Sequence, residues 1–463
     1  MPKSTVIYSK IGEHRGRKRL WLEGQRLARL GITPRLKYSL TEIEGGSKGI
    51  RLSFTDEGDR KVSRRKRGER ELPVIDIAND DISRVLGDSE RVRVVVREGR
   101  IDVTLHHHEA ATRHRLRTLG ERIEKGLPIR MGSLAHGGGV LDHALHQGLE
   151  RAGVPTHLAF ANEFDGQYLD ASLMNNPIWS PDSIAIEGPM QDIEWSKLPE
   201  VDMLVAGLPC TGASKSGRSK NNLKAAEEHE TAGALFVAFL TAIQTLKPSL
   251  VVLENVPEYG STVSMTVIRS VLSSLDYELH ETVLDGWEMG SLEKRKRFCM
   301  VATNGNVPLD FGELRPIRQR EPQVADILDP IAPDDPRWKA YTYLDDKEKR
   351  DKAAGKGFRT QVQDGSLDGY GTIGRGYSKV RSTEIRIQHP ADESLTRLLT
   401  PAEHARGKTI PEYLVDGLSE TRAHEILGQS VIHCAFEAVG QLLGQSLLSM
   451  APESTSAPVV AAA

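Results

Sequence analysis

Short apolar runs alternate with amphipathic segments through the middle of the chain. Runs of this length, bounded by polar or turn-forming residues, are typical of buried strands. The runs that we interpret as strands are 129–134, 157–161, 203–206, 250–253 and 298–302. Between them, segments such as 141–151 repeat apolar residues at helical spacing. Strands that alternate with helices predict an α/β fold with a doubly wound sheet.

The pattern differs before this region. Segments 49–54, 91–96 and 101–105 alternate in the manner of strands, which predicts a β-rich module over residues 1–108. Residues 21–31 have helical spacing and end at a glycine, so we expect a helix there. A basic helical connector is predicted over 109–127.

The pattern also differs after this region. Residues 311–395 are polar and rich in Asp, Arg, Gly and Pro, and helical periodicity returns from Thr400 to about Leu448. A chain of 463 residues exceeds one compact core, so several domains are expected. The segments that we predict are 1–108, 109–127, 128–310, 311–395, 396–450 and a disordered tail over 451–463.

Composition narrows the class of protein. With 38% hydrophobic and 27% charged residues, and no apolar run of membrane-spanning length, a cytoplasmic protein is expected. The net charge of −3 conceals a basic N-terminal region. Cys210, Cys299 and Cys434 are too few and too scattered for a disulfide framework or a zinc cluster, which favours a reducing compartment.

Two charged or metal-binding patterns stand out in the N-terminal region. The basic run 60–67 would by itself favour a solvated loop, whereas beside a nucleic-acid enzyme phosphate contact is equally reasonable. The residues that we assign to DNA contact are Arg64, Arg65, Lys66 and Arg67. Adjacent residues on a strand point to opposite faces, so His106–His108 are not expected to converge on a metal ion.

Polar or glycine-rich residues follow three successive strands. Leu134-Ala135-His136-Gly137-Gly138-Gly139 leads into a helix, where bare backbone can approach a ligand, although a tight turn explains glycines equally well. Glu163 and Phe164 follow the second strand, and Asp192 and Ile193 follow later. An acid at this position commonly binds ribose hydroxyls, so the set favours an adenosine site.

The next two strands bring a cysteine and an acid to the same edge. Pro209-Cys210 follows strand 203–206, where a cysteine taken alone is more often a core thiol, and Glu254 ends strand 250–253. A thiol and a protonatable acid at one edge can perform covalent catalysis. Arg295 and Arg297 lie on the same side of an extended segment, a pattern that alone is more often a solvated face.

The order and spacing of these motifs resemble the bacterial DNA cytosine-5 methyltransferases over residues 129–304 and 397–448. The matching elements are the Gly-rich loop, Asn162-Glu163, Gln191-Asp192-Ile193, Pro209-Cys210, Glu254-Asn255-Val256, Arg295-x-Arg297, the segment Arg397 to Glu403, and Gly428-Gln429-Ser430-Val431. The resemblance implies S-adenosylmethionine as cofactor, double-stranded DNA as partner and a target-recognition domain at 311–395.

The resemblance also implies roles for the site residues. Cys210 would attack C6 of a cytosine flipped out of the duplex, and Glu254 would protonate N3. Arg295 would contact the base or the cysteine loop, Arg297 would brace the site and Ser214 would meet the DNA backbone. The residues implied in cofactor binding are Leu134, Ala135, His136, Gly138, Glu163, Phe164, Asp192, Ile193, Pro209, Ser430 and Val431.

Several alternatives stay open. The family's Asp, Phe and first Gly are replaced here by Gly132, Leu134 and His136, which bears on cofactor affinity. An RNA cytosine-5 methyltransferase and a DNA-binding regulator on a degenerate fold are competing interpretations. The N-terminal module could bind DNA, form a homodimer or act as an autoinhibitory cap. A methyltransferase of this kind would serve a restriction–modification system or act alone, close to the nucleoid.

Overall fold

The computed structural model describes residues 3–43, 49–87, 89–209, 234–304, 307–355 and 361–450. The chain divides into two compact units, Met1–His114 and Arg115–Ala463. The division falls inside the helix α3, His107–Glu124.

The first unit is rich in strands, as predicted. Its elements are β1 Ser4–Lys10, β2 Gly12–His14, β3 Arg17–Glu23, α1 Gln25–Ala28, β4 Lys37–Ile43, β5 Gly49–Phe54, β6 Arg60–Lys61, β7 Ser63–Arg67, β8 Arg70–Ile77, α2 Asp80–Leu86, β9 Arg91–Arg97 and β10 Arg100–Leu105. They form a six-stranded sheet, β1-β9-β10-β5-β4-β6, and a four-stranded sheet, β2-β3-β8-β7. Leu20, Leu52, Ile75 and Val94 belong to the apolar core of this unit.

One prediction for this unit is wrong, and one alternative that the sequence left open is excluded. The helix predicted over 21–31 is only α1, because Trp21 to Glu23 pair with β8 and Gly24 turns the chain with φ 107°. The basic run 60–67 is not a loop, since most of it forms β6 and β7, and β7 pairs along its length with β8. In both places sheet pairing overrides the local pattern.

The second unit contains a seven-stranded sheet in the order β13-β12-β11-β14-β15-β18-β16. Its first part consists of β11 Ile129–Leu134, α4 Val140–Arg151, β12 Thr156–Glu163, α5 Gly166–Asn175, β13 Ile184–Glu187, β14 Met203–Gly207, α6 Leu235–Leu246, β15 Leu250–Asn255, α7 Val263–Ser274, β16 Tyr277–Asp285, β17 Glu293–Lys294 and β18 Lys296–Asn304. The strands β11 to β15 of this sheet pair in parallel, whereas β18 pairs antiparallel with β15 and β16. Separate apolar clusters cover the sheet's faces, so the predicted α/β class is confirmed.

The remaining elements follow the sheet. They are α8 Thr342–Ala353, β19 Gln361–Gln363, β20 Tyr370–Gly371, β21 Ile385–Gln388, β22 Thr396–Arg397, α9 Pro401–Gly407, α10 Glu420–Gln429 and α11 His433–Ser449. The long helix α11 returns to pack on α4, and Gly148 and Gly440 allow the two backbones to approach closely. Residues 401–449 are thus largely helical, as the periodicity from Thr400 predicts, and their helices pack in the core of the second unit.

Within the described ranges, no single helix combines the length and apolar composition of a membrane span. The consecutive helices α10 and α11 have this length and composition only when they are taken together, across a 47° bend. Most of α11 is buried in the core of the second unit.

Candidate active site

The carboxyl ends of parallel strands form the edge that carries the candidate site. Leu134 of β11 lies beside Ala206 of β14, and Gly207 lies beside Glu254 of β15. A Cβ on Gly207 would stand 3.7 Å from Oε2 of Glu254, so the end of β14 closely approaches this carboxyl. The exposed Pro209 continues from β14. Cys210 and Ser214 lie outside the described residues.

Glu254 is held by an arginine from the neighbouring strand. The Arg297 Nε lies 2.9 Å from Glu254 Oε1, and both side chains are largely buried. Burial raises the pKa of the Glu254 carboxyl, while Arg297, Arg295 and Lys408 oppose part of that rise. Burial therefore favours the protonated form of the Glu254 carboxyl, which is the form that a general acid uses.

Arg295 has partners different from those of Arg297. Its side chain is buried, and Nη1 donates to the Ile373 carbonyl at 3.1 Å. Its Nη2 donates to the carbonyls of Gly428 and Gln429 at 3.2 and 3.3 Å. The structure thus brings Arg297 to Glu254 and ties Arg295 to two backbone segments.

The glycine-rich loop after β11 has a left-handed backbone. Ala135, Gly137 and Gly139 have φ of 52°, 59° and 74°, and Gly139 caps α4. The Gly137 N–H donates to Glu163 Oε2 at 2.6 Å, and the Asp165 N–H donates to Oε1 of the same carboxylate at 2.9 Å. Glu163 therefore links the loop to the start of α5.

The His136 side chain is buried, so the predicted lining of the cofactor pocket would fall to the backbone of this residue. The imidazole is fully buried, with Nδ1 at 2.8 Å from Asp142 Oδ2 and Nε2 at 2.7 Å from Ser172 Oγ. Trp179 Nε1 donates to the same serine hydroxyl. His136 thus joins the loop to α4 and α5, which explains why an imidazole fits where the family pattern has glycine.

The other residues assigned to the cofactor surround this loop. The Phe164 ring is 74% exposed directly after Glu163, and Asp192 is exposed on a short 3₁₀ turn. Ala135, Gly138, Ile193 and Ser430 are half-buried, whereas the side chains of Leu134 and Val431 are in the core. An exposed aromatic ring, a fixed carboxylate and bare backbone are the groups that adenosine requires, so these residues fit S-adenosylmethionine.

One charged residue near the site has no signal in the sequence. Lys408 follows α9 and is fully buried, yet it lies close enough to Glu254 to affect the pKa of that carboxyl. In the sequence it follows Arg406-Gly407 in an ordinary helical segment, where a lysine normally faces solvent. Only the tertiary structure shows that it reaches the ends of other helices.

Metal binding has no support in the geometry of the described residues, which contain no group of three or more His, Cys, Asp or Glu side chains arranged around an ion. The His106 and His107 rings stack at 4.4 Å and both contact Tyr8. These rings belong to the first unit and are remote in sequence from the sheet edge that carries Glu254.

A doubly wound sheet with an adenosine-type loop beside an acid and an arginine defines the class of S-adenosylmethionine-dependent methyltransferases. Residues 130–445 match the family of C-5 cytosine-specific DNA methylases, and the chain belongs to that family. It is therefore a DNA cytosine-5-methyltransferase that uses S-adenosylmethionine.

Similar proteins include type II methyltransferases. M1.ScrFI of Lactococcus lactis subsp. cremoris is 26% identical over 274 residues, which cover 56% of this chain and 67% of that protein. M.NlaX of Neisseria lactamica is 26% identical over 308 residues, which cover 65% of this chain and 92% of that protein. Both alignments leave a substantial part of this chain unmatched.

Solved structures show the same fold. The S. pombe Dnmt2 methyltransferase has a TM-score of 0.53 at 16% identity and covers 70% of this chain and 99% of its own. The Entamoeba histolytica methyltransferase EhMeth has a TM-score of 0.54 at 16% identity, and the match covers 68% of this chain and 98% of that protein.

Proposed function

We propose that the enzyme methylates a cytosine rotated out of duplex DNA at a specific sequence, through a covalent bond between Cys210 and the base. The observation that carries this proposal is the buried Glu254–Arg297 pair beside the end of β14, the strand that leads into Pro209 and Cys210. A stacked base cannot reach such an edge, so the base must leave the helix.

The chemistry follows from the two side chains. The Cys210 thiolate adds to C6, and the Glu254 carboxyl donates its proton to N3, which converts C5 into a nucleophile. The bound cofactor supplies an electrophilic methyl group for C5. Transfer of the C5 proton to water, return of the N3 proton to Glu254 and departure of Sγ from C6 then restore the aromatic ring and the free thiolate.

Arg297 fits the role of a brace for the acid. Its guanidinium holds one carboxyl oxygen, which leaves Oε2 for the base. Arg295 acts at a distance from the base in this proposal, through the backbone that it binds. Ser214 is assigned to the DNA backbone on its position in the sequence after Cys210.

The cofactor residues have separate tasks in this proposal. Glu163 binds the ribose hydroxyls, the exposed Phe164 ring packs on the adenine and Asp192 accepts from the adenine amino group. The remaining contacts come from Leu134, Ala135, His136, Gly138, Ile193, Pro209, Ser430 and Val431, with His136 and Leu134 contributing backbone because their side chains are buried.

The central test uses Cys210→Ser with labelled cofactor and either duplex DNA or RNA. Wild-type protein is expected to label duplex DNA, and the variant to lose labelling while it retains DNA binding. Labelling of RNA alone would support an RNA methyltransferase, and DNA binding without labelling by the wild type would support a regulator. Unchanged turnover in the variant would exclude the covalent mechanism.

We propose a second DNA contact on the first unit. Residues 1–114 contain 25 Lys and Arg against 17 Asp and Glu, and β7 is exposed along its length. Arg65 and Arg67 share a strand face and approach Glu23, while Arg64 on the opposite face approaches Glu71. Lys66 lies between them and is exposed. Phosphates would compete with these acids for the arginines.

This contact is tested by the double variant Arg65→Gln with Arg67→Gln. Loss of two phosphate contacts should reduce the slope of log Kd against log salt by about two. Arg100→Gln is the matched control, since the Arg100 side chain is also ion-paired and partly exposed but belongs to the other sheet. An unchanged slope, together with concentration-dependent dimers, would assign the first unit to self-association.

A further inference from the structure

The C-terminal end of α10 binds two buried cationic side chains. The last carbonyls of a helix have no partner within the helix. Here the Lys408 Nζ donates to the carbonyls of Leu427 and Ser430, the latter at 2.8 Å. The Arg295 Nη2 donates to the two carbonyls between them. Four consecutive carbonyls, 427–430, are thus fixed by two side chains.

Lys408 also joins three helices. It follows α9 directly, its side chain binds the end of α10, and its carbonyl accepts from the His433 N–H at the start of α11 at 3.1 Å. The side chain has no exposed surface. Burial of an ammonium costs several kcal/mol unless carbonyls or charges compensate, and the negative end of a helix provides such compensation. Burial lowers the pKa of Lys408 well below its usual range.

The end of α10 has little freedom to move. A Cβ on Gly138 would stand 2.6 Å from Ile426 Cγ2, so α10 packs directly on the glycine-rich loop. A Cβ on Gly428 would stand 2.4 Å from the Gly374 carbonyl, so the helix also contacts the segment after β20. Ser430 and Val431 leave the helix at this point.

We propose that Lys408 is a positioning residue for the cofactor: its two bonds hold Ser430 and Val431 against the glycine-rich loop. The inference rests on the proposed assignment of Ser430 and Val431 to the cofactor site. Arg295 contributes to the same arrangement through the carbonyls of Gly428 and Gln429. Lys408 contacts neither base nor thiol in this role, so its effect falls on cofactor binding.

The test compares wild type with Lys408→Met, which keeps the length of the side chain and removes both donated bonds. Calorimetric titration with S-adenosylhomocysteine is expected to show about tenfold weaker binding, or about 1.4 kcal/mol. The KM for S-adenosylmethionine should rise similarly, while the KM for DNA stays within about twofold. Lys125→Met is the control, because Lys125 is exposed after α3.

A second variant separates positioning from folding. Lys408→Gln retains an N–H₂ donor and is expected to recover part of the lost affinity. Equal S-adenosylhomocysteine binding by wild type and Lys408→Met would overturn the inference, as would failure of both variants to fold. Lack of binding by the wild type would instead reject the proposed cofactor assignment.

Discussion

At the scale of single residues, Glu254 combines burial with a cationic partner. Replacing it by Gln keeps a hydrogen-bond donor but removes the proton that N3 needs. We therefore expect Glu254→Gln to lower kcat by about 10²- to 10⁴-fold, the usual contribution of a general acid. Single-turnover methylation of duplex DNA measures this, with DNA affinity as the control. A loss below threefold would show that N3 is protonated by another group.

Arg297 should set the alkaline limit of activity. Because Arg297 lowers the pKa of Glu254 against the effect of burial, Arg297→Met should raise that pKa further. Glu254 then stays protonated to higher pH, so the alkaline limb of the pH profile of kcat should shift to higher pH, even as the maximum value of kcat falls. An alkaline limb that shifts to lower pH in Arg297→Met, or does not shift, would contradict the assignment of Glu254 as the acid.

At the scale of elements, the buried pair Arg397–Glu403 secures α9. Glu403 accepts from Arg397 at 2.6 and 2.8 Å and from the N–H groups of Thr400 and Asp329. Arg397→Met would leave a buried carboxylate without its cation, so we expect a loss of about 3–5 kcal/mol in the free energy of unfolding. Urea denaturation measures the loss. The double variant Arg397→Met with Glu403→Gln should be less destabilised than the single one.

Strands and helices of the second unit were predictable because their burial follows the apolar pattern. The ends of β11, β12, β14 and β15 place the glycine-rich loop, Glu163 and Glu254 at one edge, as parallel pairing requires. The helix predicted at 21–31 failed because pairing between β3 and β8 is a nonlocal contact. A single sequence contains no direct record of such contacts.

Side-chain partners were less predictable than the sheet edge. Arg295 and Arg297 were expected to share a side, yet the chain between β17 and β18 is interrupted at Arg295, and the two guanidiniums reach different partners. His136 is predicted to line the cofactor, and its backbone keeps that assignment, but no motif in the sequence indicates that Asp142 and Ser172 hold its ring. Partners contributed by other elements decide both positions.

At the scale of the whole molecule, the first unit has its own apolar core between its sheets and helices. A fragment of residues 1–106, which ends before α3, is therefore expected to fold without the methyltransferase unit. Thermal unfolding followed by circular dichroism should show a cooperative transition, and tryptophan fluorescence should report Trp21. A featureless melt would mean that the first unit depends on the rest of the chain.

The burial of Cys299 and Cys434 makes the enzyme suitable for chemical labelling. Cys299 of β18 lies opposite Glu254 of β15 in the sheet, and burial raises the pKa of its thiol. Burial also raises the pKa of Cys434, to about 11. Alkylating reagents require an accessible thiolate. Intact-mass analysis with iodoacetamide should therefore add one carbamidomethyl group to native protein and three after denaturation. The single adduct expected on native protein would be on Cys210, so its yield would measure the fraction of enzyme with a free nucleophile. A DNA substrate bound covalently to that thiol should prevent this adduct.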